Sequence, residues 1–295
     1  MSRLSTMVNK PQGRRGPREM QAIRDAILEV LREENPATCR SVFYRLVSRG
    51  AVAKTEAEYK GTVIRLLSEM RLDGSLPWGW IADGTRRRHK PRTFSGLESM
   101  LEHTRDTYRR DLWEQQPAYV EVWCEKDGLV GVLEDVTWGF DVPLLPCKGY
   151  PSLTYLHEAA EQLADVGKPA HLYYFGDHDP SGVDIDRKVE QRLRQFAPDA
   201  DITFTRVAVL EAQIEELGLS TRPTKTTDSR SKNFSGESVE VDAIPPSQLR
   251  AMAKKCINRH IDARAWNALL RVEDLEKETI AGIQRNLRSQ QGPAR

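Results

Sequence analysis

The run His171-Leu-Tyr-Tyr-Phe-Gly-Asp177-His178-Asp179-Pro180-Ser181-Gly182 constrains this chain more than any other stretch. An apolar strand ends abruptly in two carboxylates spaced i, i+2, and a turn follows. Side chains two apart on a strand, or on its immediate extension, point the same way. The spacing therefore predicts that Asp177 and Asp179 converge at the C-terminal edge of a sheet, where open α/β folds place their ligands. Two anions held together need a cation, and hard carboxylates without thiol or imidazole neighbours suit Mg²⁺. The plainer reading is a solvated loop that caps the helix starting near Val183, with Asp179 or Ser181 as N-cap. The two readings are compatible. His178 would point away from both aspartates and reads as a bystander.

A second acidic strand end lies upstream. Ala118-Tyr-Val-Glu-Val-Trp-Cys-Glu125 alternates as a half-buried strand does, and Glu125 closes it before Lys126-Asp127-Gly128. Between the two strands lie a helix-like run (Leu129 to Val136) and an apolar segment (Val142 to Leu145). A Gly149-Tyr150-Pro151-Ser152 turn and a helical pattern (Leu153 to Ala164) complete a β-α-β-α-β order, which predicts a mainly parallel sheet with flanking helices. A glutamate after the first strand and an Asp-x-Asp after the third resemble the arrangement of a Toprim domain, the metal-binding catalytic module of topoisomerases, primases and some nucleases. Asp184 and Asp186 fall in the next helix's first turn, where the helix dipole favours acids.

At 295 residues, 39% of them hydrophobic, the chain reads as globular and long enough for two domains. No apolar run approaches the roughly 20 residues needed to span a bilayer, and the basic N-terminus lacks the apolar core of a signal peptide. Cys39, Cys124, Cys147 and Cys256 are far apart and form no Cys-x-x-Cys pair, which predicts neither a zinc site nor a disulfide framework and points to a reducing cytoplasm. The net charge of +1 conceals an asymmetry. Residues 1–110 hold 22 Lys and Arg against 13 Asp and Glu, and the remainder 22 against 30. A basic N-terminal third suggests a polyanion partner, and an acidic remainder suggests metal sites.

Within that basic third, residues 1–16 read as a flexible arm. Met20, Ile23, Ile27, Val30 and Leu31 mark one amphipathic helix from Arg18 to Arg32, broken by Asn35-Pro36. Thr38 can cap a second helix from Cys39 to about Arg49, ended by Gly50. A third, from near Thr55, carries Tyr59, Val63, Leu66, Leu67 and Met70 and stops at Asp73-Gly74, before a short segment, Leu76 to Ile81, that reads as a wing. Three helices, a wing and many arginines predict a winged helix-turn-helix over residues 17–92. Arg40 and Tyr44 are four apart and share a helix face. A phenol is a poor nucleophile at neutral pH unless a neighbouring cation favours phenolate, and Arg40 could supply that charge or hold the phosphate under attack. The plainer reading is that Tyr44, like Phe43, belongs to the core.

The combination resembles the A subunit of topoisomerase VI and its relative, the meiotic double-strand-break transesterase, over roughly residues 20–262. Thr38-Cys39-Arg40-Ser41-Val42-Phe43-Tyr44 resembles the family's Arg-x-x-Tyr-Tyr motif, with Phe43 replacing the first tyrosine. Glu125, Asp177 and Asp179 match the Toprim acids, and Asp179-Pro180-Ser181-Gly182 looks like the family's Asp-Pro-Tyr-Gly turn. Gly218-Leu219 to Pro223, Lys225, Asp228, Arg230 and the run Val239 to Pro246 also resemble family segments. The resemblance implies Mg²⁺-dependent cleavage of double-stranded DNA, with Tyr44 as nucleophile linked to a 5′ phosphate. Arg40 would orient that phosphate, and Glu125, Asp177 and Asp179 would hold the metal. It further implies a homodimer in which one subunit's tyrosine meets the other's metal. The chain is short and carries no Walker-type phosphate loop, so it looks like the minimal stand-alone relatives of mobile elements, and strand passage would need a separate ATPase subunit.

A helical linker is expected over 93–117, a Toprim domain with C-terminal helices over 118–287 and a frayed tail over 288–295. Arg86, Arg87, Arg88, Lys90 and Lys126 are the candidate phosphate contacts, worth affinity rather than sequence choice. Lys225 and Arg230 are weaker candidates. Two rival readings stand beside the transesterase: a Toprim hydrolase using metal-activated water, and a winged-helix DNA-binding protein without enzymatic activity.

Overall fold

The computed structural model describes residues 15–82, 91–223, 234 and 236–291. The chain divides into two units between Ile81 and Ala82. Arg86, Arg87, Arg88 and Lys90, and likewise Lys225 and Arg230, lie outside the described residues.

In the first unit, α1 (Pro17–Glu34) opens with proline at its first position, where a missing N–H costs nothing, and buries Ile23, Ile27, Val30 and Leu31 on one face. A second helix, α2 (Cys39–Ser48), starts where the Thr38 hydroxyl accepts a hydrogen bond from the Ser41 N–H at 2.9 Å. It ends before Gly50, whose φ of 69° suits a residue without Cβ. The third helical pattern is continuous in sequence but not in geometry. Residues Glu56–Glu58 (α3) lead into a π-helical turn, Tyr59–Ile64, and then α4 (Arg65–Leu72). Val63, Leu66, Leu67 and Met70 close the core against α1 and α2. The segment expected to form a wing instead makes a 3₁₀ turn, Trp78–Trp80, with a single bridge from Ala37 to Ile81. Pro77 sets this course, since it lacks the N–H a strand ladder requires.

The second unit is α/β, built on a four-stranded parallel sheet. A helix that the sequence placed in a linker, α5 (Leu97–Thr107), packs here against the last helix of the chain, and the Tyr108 hydroxyl donates to Glu276 at 2.7 Å. Next come β1 (Tyr119–Cys124), α6 (Asp127–Gly139), β2 (Leu144–Pro146), α7 (Leu153–Asp165), β3 (Ala170–Phe175) and α8 (Pro180–Phe196). The β-α-β-α-β order is thus as expected. A fourth strand, β4 (Ile202–Ala208), follows, then α9 (Glu211–Glu216), α10 (Pro246–Asn258) and α11 (Ala263–Gln291), which extends past the point where the tail was expected to fray.

All strand pairs are parallel, in the order β2-β1-β3-β4. Parallel strands buried on both faces carry two cores. Val120, Val122, Cys124, Tyr173 and Phe175 face α6 and α10, while Trp123, Leu172 and Tyr174 face α7 and α8. The chain winds from β1 outward to β2, then crosses back to β3 on the other side of β1. That reversal makes the C-terminal ends of β1 and β3 the switch point of the sheet, where two neighbouring loops part and leave a crevice. Among the described residues no helix is long and apolar enough to cross a membrane.

The β3–α8 connection is stapled from β4. The Arg206 guanidinium pairs with buried Asp186 at 2.5 Å and donates to the carbonyls of Gly176 (3.2 Å), Val209 (3.1 Å) and Asp177. Replacing Arg206 with Met would leave a buried carboxylate without its cation and the Val209 and Asp177 carbonyls without the guanidinium's N–H groups. The expected cost is about 3–5 kcal/mol, read as a lower urea midpoint; a loss under about 1 kcal/mol would contradict this role.

Candidate functional site

Glu125 follows β1, and Asp177 and Asp179 follow β3, so the topology delivers both acidic segments to the switch point. Glu125 is drawn toward the aspartates by backbone: the Asp177 N–H donates to Glu125 Oε2 at 2.8 Å. Close approach here requires glycine at 176, because a Cβ there would stand 2.8 Å from Glu125 Oε2 and 2.5 Å from the Tyr174 ring. Gly182 is required for the same reason, since a Cβ would meet the Asp177 carbonyl oxygen at 2.2 Å.

The two aspartates do different work. Asp179 caps α8, its Oδ1 accepting from the Gly182 N–H at 2.8 Å. Asp177 is buried, and its Oδ1 accepts from the Val241 N–H at 2.9 Å and meets the Lys126 ammonium at 2.9 Å. His178 is turned elsewhere, its ring 5.0 Å from that of Phe234. Its backbone pairs in antiparallel fashion with Val239.

That pairing brings in residues to which the sequence reading assigned no role. Val239-Glu240-Val241-Asp242 runs alongside the aspartate loop and adds two more buried carboxylates. Lys126 Nζ lies 3.0 Å from Asp242 and 3.5 Å from Glu240. Arg222, across from Ser238, holds Glu240 at 2.6 Å and Asp179 at 3.8 Å. Among the described residues, five carboxylates, from Glu125, Asp177, Asp179, Glu240 and Asp242, thus share one region with two cations, Lys126 and Arg222. The i, i+2 acids of Glu240 and Asp242 on an alternating stretch repeat the very pattern that singled out Asp177 and Asp179, and that was the available signal. Arg206 was legible only as an arginine inside an apolar strand.

Electrostatics follow from crowding. Burial first, and then the Asp177 carboxylate, push the Glu125 carboxyl up to about 7, with Asp179 adding in the same direction. Burial likewise pushes Asp177 up, against the pull of the Lys126 ammonium. For Lys126 itself burial favours loss of the proton, but the carboxylates of Asp242, Asp177 and Glu240 outweigh it and hold the ammonium above the usual lysine range. Lys126 is therefore held as an ammonium among these carboxylates.

The donor set fits a hard divalent cation in kind: it is all oxygen, and among the described residues its carboxylates outnumber the cations beside them. Among the described residues no three acid, imidazole or thiol side chains form a ready-made ion cage. Internal donors hold the acids instead, with the Asp177 N–H on Glu125, the Gly182 N–H on Asp179 and Lys126 on the other three.

In the first unit, Tyr44 is only 4% exposed and stacks obliquely on Phe43, ring centroids 5.5 Å apart. Arg40 lies over the Tyr59 ring at 3.9 Å and pairs with Glu56 at 3.2 Å. Phe43 bridges the two tyrosines, its ring 5.3 Å from that of Tyr59. Lys54 Nζ stands 5.4 Å from the Tyr44 ring centre. Tyr44 thus sits in an aromatic cluster with cations at its edge.

Neither a family model nor a curated protein matches this chain.

Glu125 gives the site a pH signature. The unfolded carboxyl ionises near 4.5 and the folded one near 7, so between these values the folded state holds the extra proton and stability falls as pH rises. Glu125→Gln should flatten that decline, measured as denaturant midpoints across the range without divalent ions. An unchanged slope would show that Glu125 ionises freely.

Proposed function

We propose that the chain is an Mg²⁺-dependent DNA-cleaving enzyme of the topoisomerase VI A-subunit type, with a winged-helix-like first unit and a Toprim second unit. The single observation that carries the reading is that Glu125 after β1, and Asp177 and Asp179 after β3, follow neighbouring parallel strands at the switch point, with the Asp177 N–H on Glu125 at 2.8 Å. A protein that merely bound DNA would gain nothing from concentrating carboxylates where phosphates must come. An enzyme that recruits a divalent cation would, because the cation reverses the local sign.

Glu125, Asp177 and Asp179 would hold Mg²⁺, which when bound supplies charge neutralisation at the phosphate and stabilises the leaving sugar oxygen. Tyr44 would attack phosphorus as phenolate, forming a phosphotyrosyl bond to the 5′ end and releasing the 3′ oxygen, which takes up a proton. Arg40 and Lys54 border the aromatic cluster and would favour the phenolate or hold the phosphate. Two chains would cut the two strands as a homodimer, and a separate ATPase subunit would drive any strand passage. Arg86, Arg87, Arg88 and Lys90 would track the DNA backbone.

The burial of Tyr44 favours a second reading, in which water and not the phenol attacks, making the protein a Toprim hydrolase. Supercoiled plasmid incubated with protein and Mg²⁺, then denatured with and without protease, separates the two. The transesterase predicts linear or nicked DNA that migrates freely only after protease, with cutting abolished by Tyr44→Phe and by Asp177→Ala. Cutting retained by Tyr44→Phe but lost in Asp177→Ala would establish hydrolysis. No cutting under any condition would overturn both.

A further inference from the structure

We infer that Lys126 is a built-in counter-ion of the acid cluster, occupying it until a divalent cation takes its place, so that the lysine weakens metal binding by the free protein. This rests on the metal-site reading above. The ammonium lies 2.9 Å from Asp177, 3.0 Å from Asp242 and 3.5 Å from Glu240, side chains exposed by 9%, 4% and 7% respectively. With three nearly buried carboxylates around it, the ammonium stands where those oxygens would otherwise surround a small cation.

Asp177 Oδ1 already accepts the Val241 N–H and Lys126, so an ion entering on that carboxylate meets a positive charge within one side-chain width. Like charges this close in a partly dry site repel strongly. The lysine must therefore withdraw as the ion enters. It stands at the N-cap of α6 on a four-carbon stem that is 30% exposed, so withdrawal requires only side-chain rotation. Glu240 and Asp242 fit the same role: by gripping the ammonium they keep it beside Asp177 and hold the Val239–Asp242 segment against the aspartate loop. The freed ammonium would then be available to a substrate phosphate, which couples metal entry to DNA engagement.

Mn²⁺ binding to the full chain without DNA, followed by electron paramagnetic resonance of the free ion, tests the inference. Lys126→Met should bind Mn²⁺ about tenfold or more tightly than wild type, whereas Lys126→Arg, which keeps the charge, should bind no more tightly than wild type. Should Lys126→Met be unfolded without metal, circular dichroism during Mn²⁺ titration becomes the measurement: refolding supports the inference, and failure to refold overturns it. Lys126→Met that binds no more tightly than wild type, or Lys126→Arg that matches a tighter-binding Lys126→Met, overturns the lysine's role alone. Absence of binding to wild type and to Lys126→Met, with both folded, overturns the metal-site reading and the inference with it.

Discussion

Carboxylates that share a partly buried site repel one another, and the second unit is organised around donors that make the repulsion tolerable. Glu125, Asp177, Glu240 and Asp242 come from three separate segments of the chain. Each is held by a backbone N–H, a lysine or an arginine that the fold delivers to it. Remove the donors, and the acids would have to protonate or move into water. Glu125 shows the balance most directly, since its carboxyl is pushed to about 7 by burial and by Asp177 even with its N–H bond in place.

The scaffold explains why such a site can exist without melting the protein. The central strands β1 and β3 are buried on both faces, with Trp123, Tyr174 and Phe175 fully buried, so they end at fixed positions. Arg206 ties the loop after β3 to β4, and Gly176 and Gly182 allow that loop to press against its neighbours. Rigid strands thereby place Glu125 and Asp177, while the long side chains of Lys126 and Arg222 reach the acids from partly exposed positions.

Much of this was legible in the sequence. Apolar runs ending in Glu125 and in Asp177-x-Asp179 marked the strands and their parallel order. The periodicity of Ile23, Ile27, Val30 and Leu31 gave α1, and Thr38 gave the start of α2. What escaped were features set by partners distant in sequence. The π-helical turn at Tyr59–Ile64 leaves the apolar spacing nearly intact, so periodicity could not reveal it. The length of α11 was obscured because its buried positions include Glu273 and Gln284, polar residues that read as surface. The carboxylates around Lys126 lie more than fifty residues away along the chain, so its ion pairs had no local signature. Asp179 proved to be both helix cap and cluster member, as its position before Pro180 allowed.

The account stands or falls on whether a divalent ion enters between the strands. Crystals grown in Mn²⁺ and measured at the manganese absorption edge would locate it by anomalous scattering. The account predicts one strong peak bounded by the Glu125 and Asp177 carboxylates, with the Lys126 ammonium displaced from Asp177. An ordered Lys126 still seated among Asp177, Glu240 and Asp242 at saturating Mn²⁺, with no peak beside them, would contradict it.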